Sequence, residues 1–345
     1  MKVPPVKAIK KASLLESNWI YVPPHERLGI LERATAGCDA GLRSIFIKFG
    51  NYRVRMAITK SPEKTSFSLE RIDDKFCVKL NDAIFLGEVV VERALFHTLN
   101  QVFINLSSPC IFDCKFCATP KLKVKFVMKP QKVLDIIKSA MKKEEIHGIA
   151  LTCSVLGPEE LMVNWLIDIV KLIRRELGVD LPIGVEPYIT QEDYVEDLYS
   201  AGADELKVNI ECFDEGVFRA VCPEKNHSKI FRVLSRAAEV FGKNRVCSNV
   251  IIGLGESEGA LLNGLEHMAE IGILVNLRPL FISPLREKEL KIVTGGKASR
   301  PKASTLLKLA LKYRDVLERY NLRTTYFKTM CFKCTGCEIV PQQDV

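Results

Sequence analysis

The sequence predicts an α/β protein whose central part is built from parallel strand-helix-strand units. Three observations predict it. From Gln101 onward, short apolar runs alternate six times with amphipathic segments. A loop carrying three cysteines follows the first of these runs, where an α/β fold keeps its chemistry. The flanks, residues 1–100 and 286–345, lack the alternation.

Strands are expected near 101–105, 148–153, 181–186, 205–210, 246–252 and 274–281. Helices are expected over 130–143, 159–177, 191–201, 229–241 and 260–271. Six such units suit a partial barrel as readily as an open doubly wound sheet. Before them, strand-like runs at 44–49, 52–58 and 83–91 suggest a small β-rich lead-in. It contains Cys77, expected as a buried small apolar residue, and Cys38, which a glycine-bracketed turn leaves open to ligation. After Pro284 the composition turns basic. One long helix, 302–320, and a short strand, 323–327, then lead into Cys331-Phe-Lys-Cys334-Thr-Gly-Cys337.

The chain has 345 residues, 47% hydrophobic and 27% charged, enough to bury a full core. No apolar run reaches the roughly 18 residues of a membrane span, and the N-terminus has no signal-peptide pattern, so a cytoplasmic protein is expected. Its twelve cysteines cluster at ligand spacing, which favours reduced thiols and bound metal over a disulfide framework. The formal charge of +8 points to acidic partners, nucleic acid or protein, without choosing between them.

The first cysteine group is Cys110-Ile-Phe-Asp-Cys114-Lys-Phe-Cys117. Three soft ligands on one loop can hold three irons of a [4Fe–4S] cube and leave the fourth open. The competing reading, structural zinc, needs four ligands, and this loop has three cysteines and no histidine. Phe116 stands where it can shield a cluster from water. The loop resembles the C-x3-C-x-aromatic-C hallmark of the radical S-adenosylmethionine (SAM) superfamily.

That resemblance implies a partial (β/α)6 TIM-type barrel over 101–285, with a β-rich lead-in over 1–100 and a helical, cysteine-containing extension over 286–345. It implies a [4Fe–4S] cluster on Cys110, Cys114 and Cys117, and SAM as cofactor. Leu151-Thr-Cys-Ser-Val155 resembles the lipoyl synthase stretch that contacts the methionine part of SAM, which implies roles for Thr152 and Ser154; ordinary capping of the next helix is the plainer reading. Asn209 and Glu211, on one face of the fourth strand, match the Asn-Leu-Asp or Asn-Leu-Glu that holds the SAM ribose and amino group in biotin and lipoyl synthases. Ile251, in Cys247-Ser-Asn-Val-Ile-Ile-Gly-Leu-Gly-Glu256, matches the biotin synthase position that packs the adenine. The same glycines have the wrong spacing for a dinucleotide fingerprint.

Arg278 ends the sixth strand, where it suits either an anion or a helix salt bridge. Cys153 and Cys247 fall where two ligands of the biotin synthase sacrificial cluster lie, but the third position is near Pro187, so both are expected to pack. An auxiliary cluster is expected on Cys331, Cys334 and Cys337, with Cys38 as a candidate fourth ligand; zinc is the alternative.

The closest resemblance is to the archaeal two-subunit lipoyl synthase, within the biotin synthase and lipoyl synthase branch. It implies that one electron from the reduced cluster cleaves SAM. The 5′-deoxyadenosyl radical then takes hydrogen from C6 or C8 of an octanoyl chain on an acidic lipoyl-carrier domain or H protein, and sulfur comes from the auxiliary cluster. A second radical SAM subunit and an electron donor such as ferredoxin are the further partners implied. The alternative is a biotin synthase or hydrogenase-maturase type of enzyme acting on a small cofactor precursor. A nucleic-acid-binding zinc protein would explain the charge, but the basic residues are dispersed rather than gathered in one stripe with aromatics.

Overall fold

A computed structural model describes residues 3–26, 28, 32–92, 100–108, 110–178 and 180–345. Pro109, which flanks the cysteine loop, lies outside the described residues.

The N-terminal part begins with helix α1 (Val6–Ser17), which sequence patterning did not suggest. Seven strands follow: β1 (Trp19–Tyr21), β2 (Glu32–Arg33), β3 (Arg43–Phe49), β4 (Tyr52–Thr59), β5 (Phe67–Ile72), β6 (Lys75–Leu80) and β7 (Ala83–Glu92). They lie in the order β2-β3-β4-β1-β5-β6-β7, and a further β3–β7 pairing closes six of them into a barrel. Closure removes the open edges a small sheet would otherwise expose. Ile45, Ile47, Val54, Met56, Leu69 and Val78 fill its core with α1. Cys77 is buried in β6, as expected.

The second unit is a six-stranded parallel sheet: β8 (Val102–Asn105), β11 (Ile149–Thr152), β12 (Ile183–Glu186), β13 (Glu205–Lys207), β14 (Val246–Ile252) and β15 (Leu274–Pro279). Between β8 and β11, β9 (Ser107–Ser108) and β10 (Phe126–Val127) form a two-stranded ribbon. The six strands pair in chain order. A doubly wound sheet reverses its order at a switch point; sequential right-handed crossovers instead put every helix on one face and curl the sheet. The partial barrel is therefore the fold that formed.

Its helices are α2 (Pro130–Met141), α3 (Glu159–Leu177), α4 (Asp193–Ser200), α5 (Glu215–Val221), α6 (His227–Phe241) and α7 (Glu258–Glu270). Apolar residues at helical spacing, such as Val163, Leu166, Ile167, Val170 and Ile173 of α3, pack on the outer face of the strands. Asn226 and Ser257 cap α6 and α7 through backbone N–H groups.

Beyond β15 come α8 (Glu287–Val293), α9 (Ala303–Arg319) and α10 (Met330–Cys334). The strand expected over 323–327 is a short 3₁₀ turn, Thr324–Tyr326. Its backbone is already engaged: Thr324 N donates to Gln342 Oε1 (3.0 Å), and the Thr324 hydroxyl to Pro341 O (2.8 Å).

The C-terminal segment closes the foot of the barrel. Gln101, just before β8, bonds both the N–H and the C=O of Met330. Glu205, the first residue of β13, accepts from Lys328 N (2.6 Å), Thr329 N (2.9 Å) and the Thr329 hydroxyl. Gly184 in β12 makes room, since a Cβ there would lie 2.1 Å from Thr329 Oγ1. The segment is also tied to the N-terminal unit. Arg55 N donates to Gly336 O (2.7 Å), Arg53 Nη1 to Cys334 O (3.2 Å), and buried Lys11 to Asp344 (2.6 Å).

Candidate active site

The cysteine loop leaves the C-terminal end of β8, and the second cysteine group enters from the opposite end of the barrel. Both line one cavity of about 270 Å³. The residues expected from sequence to bind the cofactors line it as well: Cys110, Cys114, Phe116 and Cys117 of the loop; Thr152 and Ser154 after β11; Asn209 and Glu211 after β13; Ile251 of β14; Cys38; and Cys331, Cys334 and Cys337. Cys153 lines it too, whereas Cys247 is fully buried on β14 beside Lys207 and Cys331.

Arg286 holds the cysteine loop in shape. Its buried guanidinium donates to Cys117 O (2.7 Å), to Asp113 and to Glu289. Burial would raise the Asp113 carboxyl, but hydrogen bonds from Arg286 and Lys115 outweigh it and hold it at about 2. On the other side, the Cys38 turn clasps the loop: Gly37 N donates to Thr119 Oγ1 (3.1 Å), and Ala118 N to Gly37 O (3.1 Å).

The loop thiols differ. Burial pushes Cys117 up to about 11, while a hydrogen bond from the Cys222 thiol, together with Lys225, lowers Cys114. Cys38 is pushed up to about 12 by burial and by Asp39, against the pull of Arg278.

Across the cavity, polar side chains form a network that the strand pattern builds. Successive inward positions of β13 and the residues after it are Glu205, Lys207 and Asn209, and β14 turns Asn249 and Ile251 the same way. Asn209 Nδ2 donates to Glu186 Oε1 (2.8 Å), and its Oδ1 accepts from Asn249 N (3.1 Å). Lys207 Nζ lies 3.3 Å from Glu186 Oε1 and 3.3 Å from Cys331 Sγ. Burial alone would lower the Lys207 ammonium; Cys331 and Glu186 outweigh it and raise it. Lys225 Nζ meets Glu211 Oε1 at 2.8 Å, with Glu211 in the left-handed backbone region at φ 62°. Among the described residues Arg278 has no carboxylate at ion-pair distance; its Nη1 lies 4.0 Å from Cys331 Sγ at the start of α10.

These residues fit an iron–sulfur cluster and SAM. Three soft thiols of one loop line the same cavity, and among the described residues no three His, Cys, Asp or Glu side chains form a site for a single ion. A cube spreads its ligands over separate irons. Among the described residues Asn249 Oδ1 is buried without a donor beside the cavity, an acceptor available to a polar cofactor.

Residues 104–267 match the Radical SAM superfamily. The chain carries a radical SAM domain. Domains of this superfamily use a [4Fe–4S] cluster and SAM. Over 146 residues it is 29% identical to the probable GTP 3′,8-cyclase of Thermoplasma volcanium, covering 39% of this chain and 40% of the relative. Over 170 residues it is 25% identical to the GTP 3′,8-cyclase of Gloeobacter violaceus, covering 47% and 50%. The chain thus spans half or less of the length of these curated relatives, and neither is a lipoyl or biotin synthase. The crystal structure of methylornithine synthase superposes with a TM-score of 0.50 at 18% identity, over 64% of this chain and 62% of that one, a likeness of fold. No described helix is long and apolar enough to cross a membrane.

Sequence reasoning missed Lys207, Glu186, Lys225 and Arg286. The first had a visible signal, since Glu205, Lys207, Asn209 and Glu211 alternate with Leu206, Val208 and Ile210 on an expected strand. Charged residues there have to face either solvent or a polar interior.

Proposed function

We propose that this radical SAM enzyme acts on a small anionic molecule held between two iron–sulfur sites. The loop of Cys110, Cys114 and Cys117 would hold the radical-generating cluster, and Cys331, Cys334 and Cys337 an auxiliary one. Bound together, cluster and SAM supply a 5′-deoxyadenosyl radical.

The observation that carries this reading is Arg278. Arg55, Lys207 and Lys225 each have a carboxylate within 3.3 Å, but among the described residues Arg278 has none at ion-pair distance. A guanidinium in a cavity wall without a carboxylate partner suits a carboxylate or phosphate bidentately. The two curated relatives are named for a reaction of GTP, itself an anion. On this reading Thr152, Ser154, Asn209, Glu211 and Ile251 would orient SAM, Phe116 would keep water from the loop, and Arg278 would anchor the substrate.

The test is anaerobic reconstitution of wild type and of a Cys331→Ala, Cys334→Ala, Cys337→Ala variant, with SAM cleavage measured beside small anions. About eight irons falling to about four, with SAM cleavage kept, supports two clusters. About four in both would remove the auxiliary site. Stimulation of cleavage by small anions in wild type, lost in Arg278→Ala, supports the anchor.

Sulfur insertion of the lipoyl synthase type is the second reading, favoured by the opening of both cysteine groups on one cavity. The substrate would be an octanoyl-lysine chain on an acidic carrier domain, the Cys331, Cys334 and Cys337 site would hold the sulfur source, and a second subunit would complete the system; Cys38 is a candidate fourth ligand. Incubation with an octanoyl-lysine peptide should then yield thiolated peptide with loss of sulfide from the protein. An unchanged peptide with intact sulfide content rejects this reading.

A further inference from the structure

The radical SAM domain needs one external electron for each SAM cleaved, and one surface beside the cysteine loop is built to receive a protein that brings it. The ribbon strand β10 pairs with β9 just before Cys110, with Phe126 opposite Ser108 and Val127 opposite Ser107. Its other end joins the loop through Thr119, two residues after Cys117. Ribbon and cysteine loop are therefore continuous on both sides.

The ribbon and the start of α2 expose Lys123, Lys125, Lys129 and Lys132. Among the described residues none of the four has a carboxylate at ion-pair distance, whereas many other surface lysines do, including Lys75, Lys138, Lys291, Lys308 and Lys312. Between them stand exposed valines, Val124 at 68% and Val127 at 59%, and Ile111 of the cysteine loop itself is 58% exposed. Apolar contacts edged by unpaired charge are the anatomy of a transient protein interface. Electron-transfer encounters sit at the small end of interface size and depend on charge for their association rate.

We propose that this ribbon is the docking surface for an acidic one-electron carrier protein of the ferredoxin or flavodoxin class. The carrier's reduced centre gives one electron to the protein's own [4Fe–4S] site and leaves oxidised by one electron; no bond is made or broken. The proposal rests on the radical SAM domain and is independent of the substrate. Lys121 is set apart, because it pairs with Glu289 (2.8 Å) in the brace around Arg286.

The test compares the reconstituted holoenzyme with the variant Lys123→Glu, Lys125→Glu, Lys129→Glu, Lys132→Glu. SAM cleavage is driven either by a reduced acidic ferredoxin or by dithionite, and ferredoxin binding to the holoenzyme is measured directly by interferometry. The expected result is a fall of about tenfold or more in the ferredoxin-driven rate and in affinity, with the dithionite-driven rate and iron content unchanged. Raised ionic strength should weaken wild type and leave the variant little affected. The four-fold Lys→Gln variant, which removes charge without reversing it, should fall between the two. Equal ferredoxin-driven rates and affinities would overturn the proposal, as would loss in both arms with full iron content. Binding of transfer RNA by wild type that the variant loses, with ferredoxin binding intact, would assign the surface to nucleic acid and also overturn it.

Discussion

Lys207 and Cys331, 124 residues apart in the chain, meet at 3.3 Å inside the barrel, with Glu186 on the other side of the ammonium. One buried cation thus joins the strand network around Asn209 to the second cysteine group. Lys207→Met keeps the length of the side chain but leaves Glu186 buried beside an apolar group. Removing one partner of such a buried pair costs about 3–5 kcal/mol. The variant should melt well below wild type. It should also lose iron from the second cysteine group, falling from about eight toward about four per chain. An unchanged melting temperature and iron content would show that the contact is dispensable.

Arg286 is a positioning residue for the first group. Lysine cannot reach Cys117 O, Asp113 and Glu289 together. Arg286→Lys should destabilise the fold by about 1–3 kcal/mol, because both carboxylates are partly exposed. The informative readout is the iron–sulfur absorbance of the triple-cysteine background, where only the first cluster remains: it should drop in Arg286→Lys, and Arg286→Ala should drop further.

Glu205 carries a pH dependence. Burial raises its carboxyl from 4.5 to about 7, against the hydrogen bonds from Thr329 and Lys328. A group that holds its proton more tightly when folded adds stability that is full below pH 4.5 and is lost as pH rises through about 7. The span corresponds to at most about 3 kcal/mol. Melting curves of Glu205→Gln and wild type should therefore diverge in slope between pH 4.5 and 7 and run parallel above it. Identical slopes throughout would contradict the assignment.

Gly184 tests whether the C-terminal segment belongs to the barrel. A methyl group there meets Thr329 Oγ1 at 2.1 Å. Gly184→Ala should cost about 1–3 kcal/mol through overpacking. It should also speed proteolysis after residue 327 and lower iron in the second group. Combining it with Thr329→Gly, which empties the contested space, should recover part of the loss.

Much of the fold was legible because its signals are local. The spacing of Cys110, Cys114 and Cys117 and the alternation of strand and helix recur within a few residues, and helix and strand periods act over that range. The lead-in was legible only in part. Runs at 44–49, 52–58 and 83–91 appear as strands, but α1, β1, β5 and β6 did not stand out, since such elements depend on what they pack against.

The sequence alone therefore determined the kind of unit this chain is built from, the loop that would hold a cluster, and a second cysteine group of the same chemistry. Tertiary structure decided that the two groups share a cavity, that the C-terminal segment enters the barrel from its foot, and that Arg278 meets Cys331 rather than a helix carboxylate. The reason is physical. A buried charge is stable only beside the partner that folding brings to it, and Lys207 to Cys331, Arg286 to Cys117 and Glu205 to Thr329 are separated by 124, 169 and 124 residues. Local periodicity carries no record of pairings at that range.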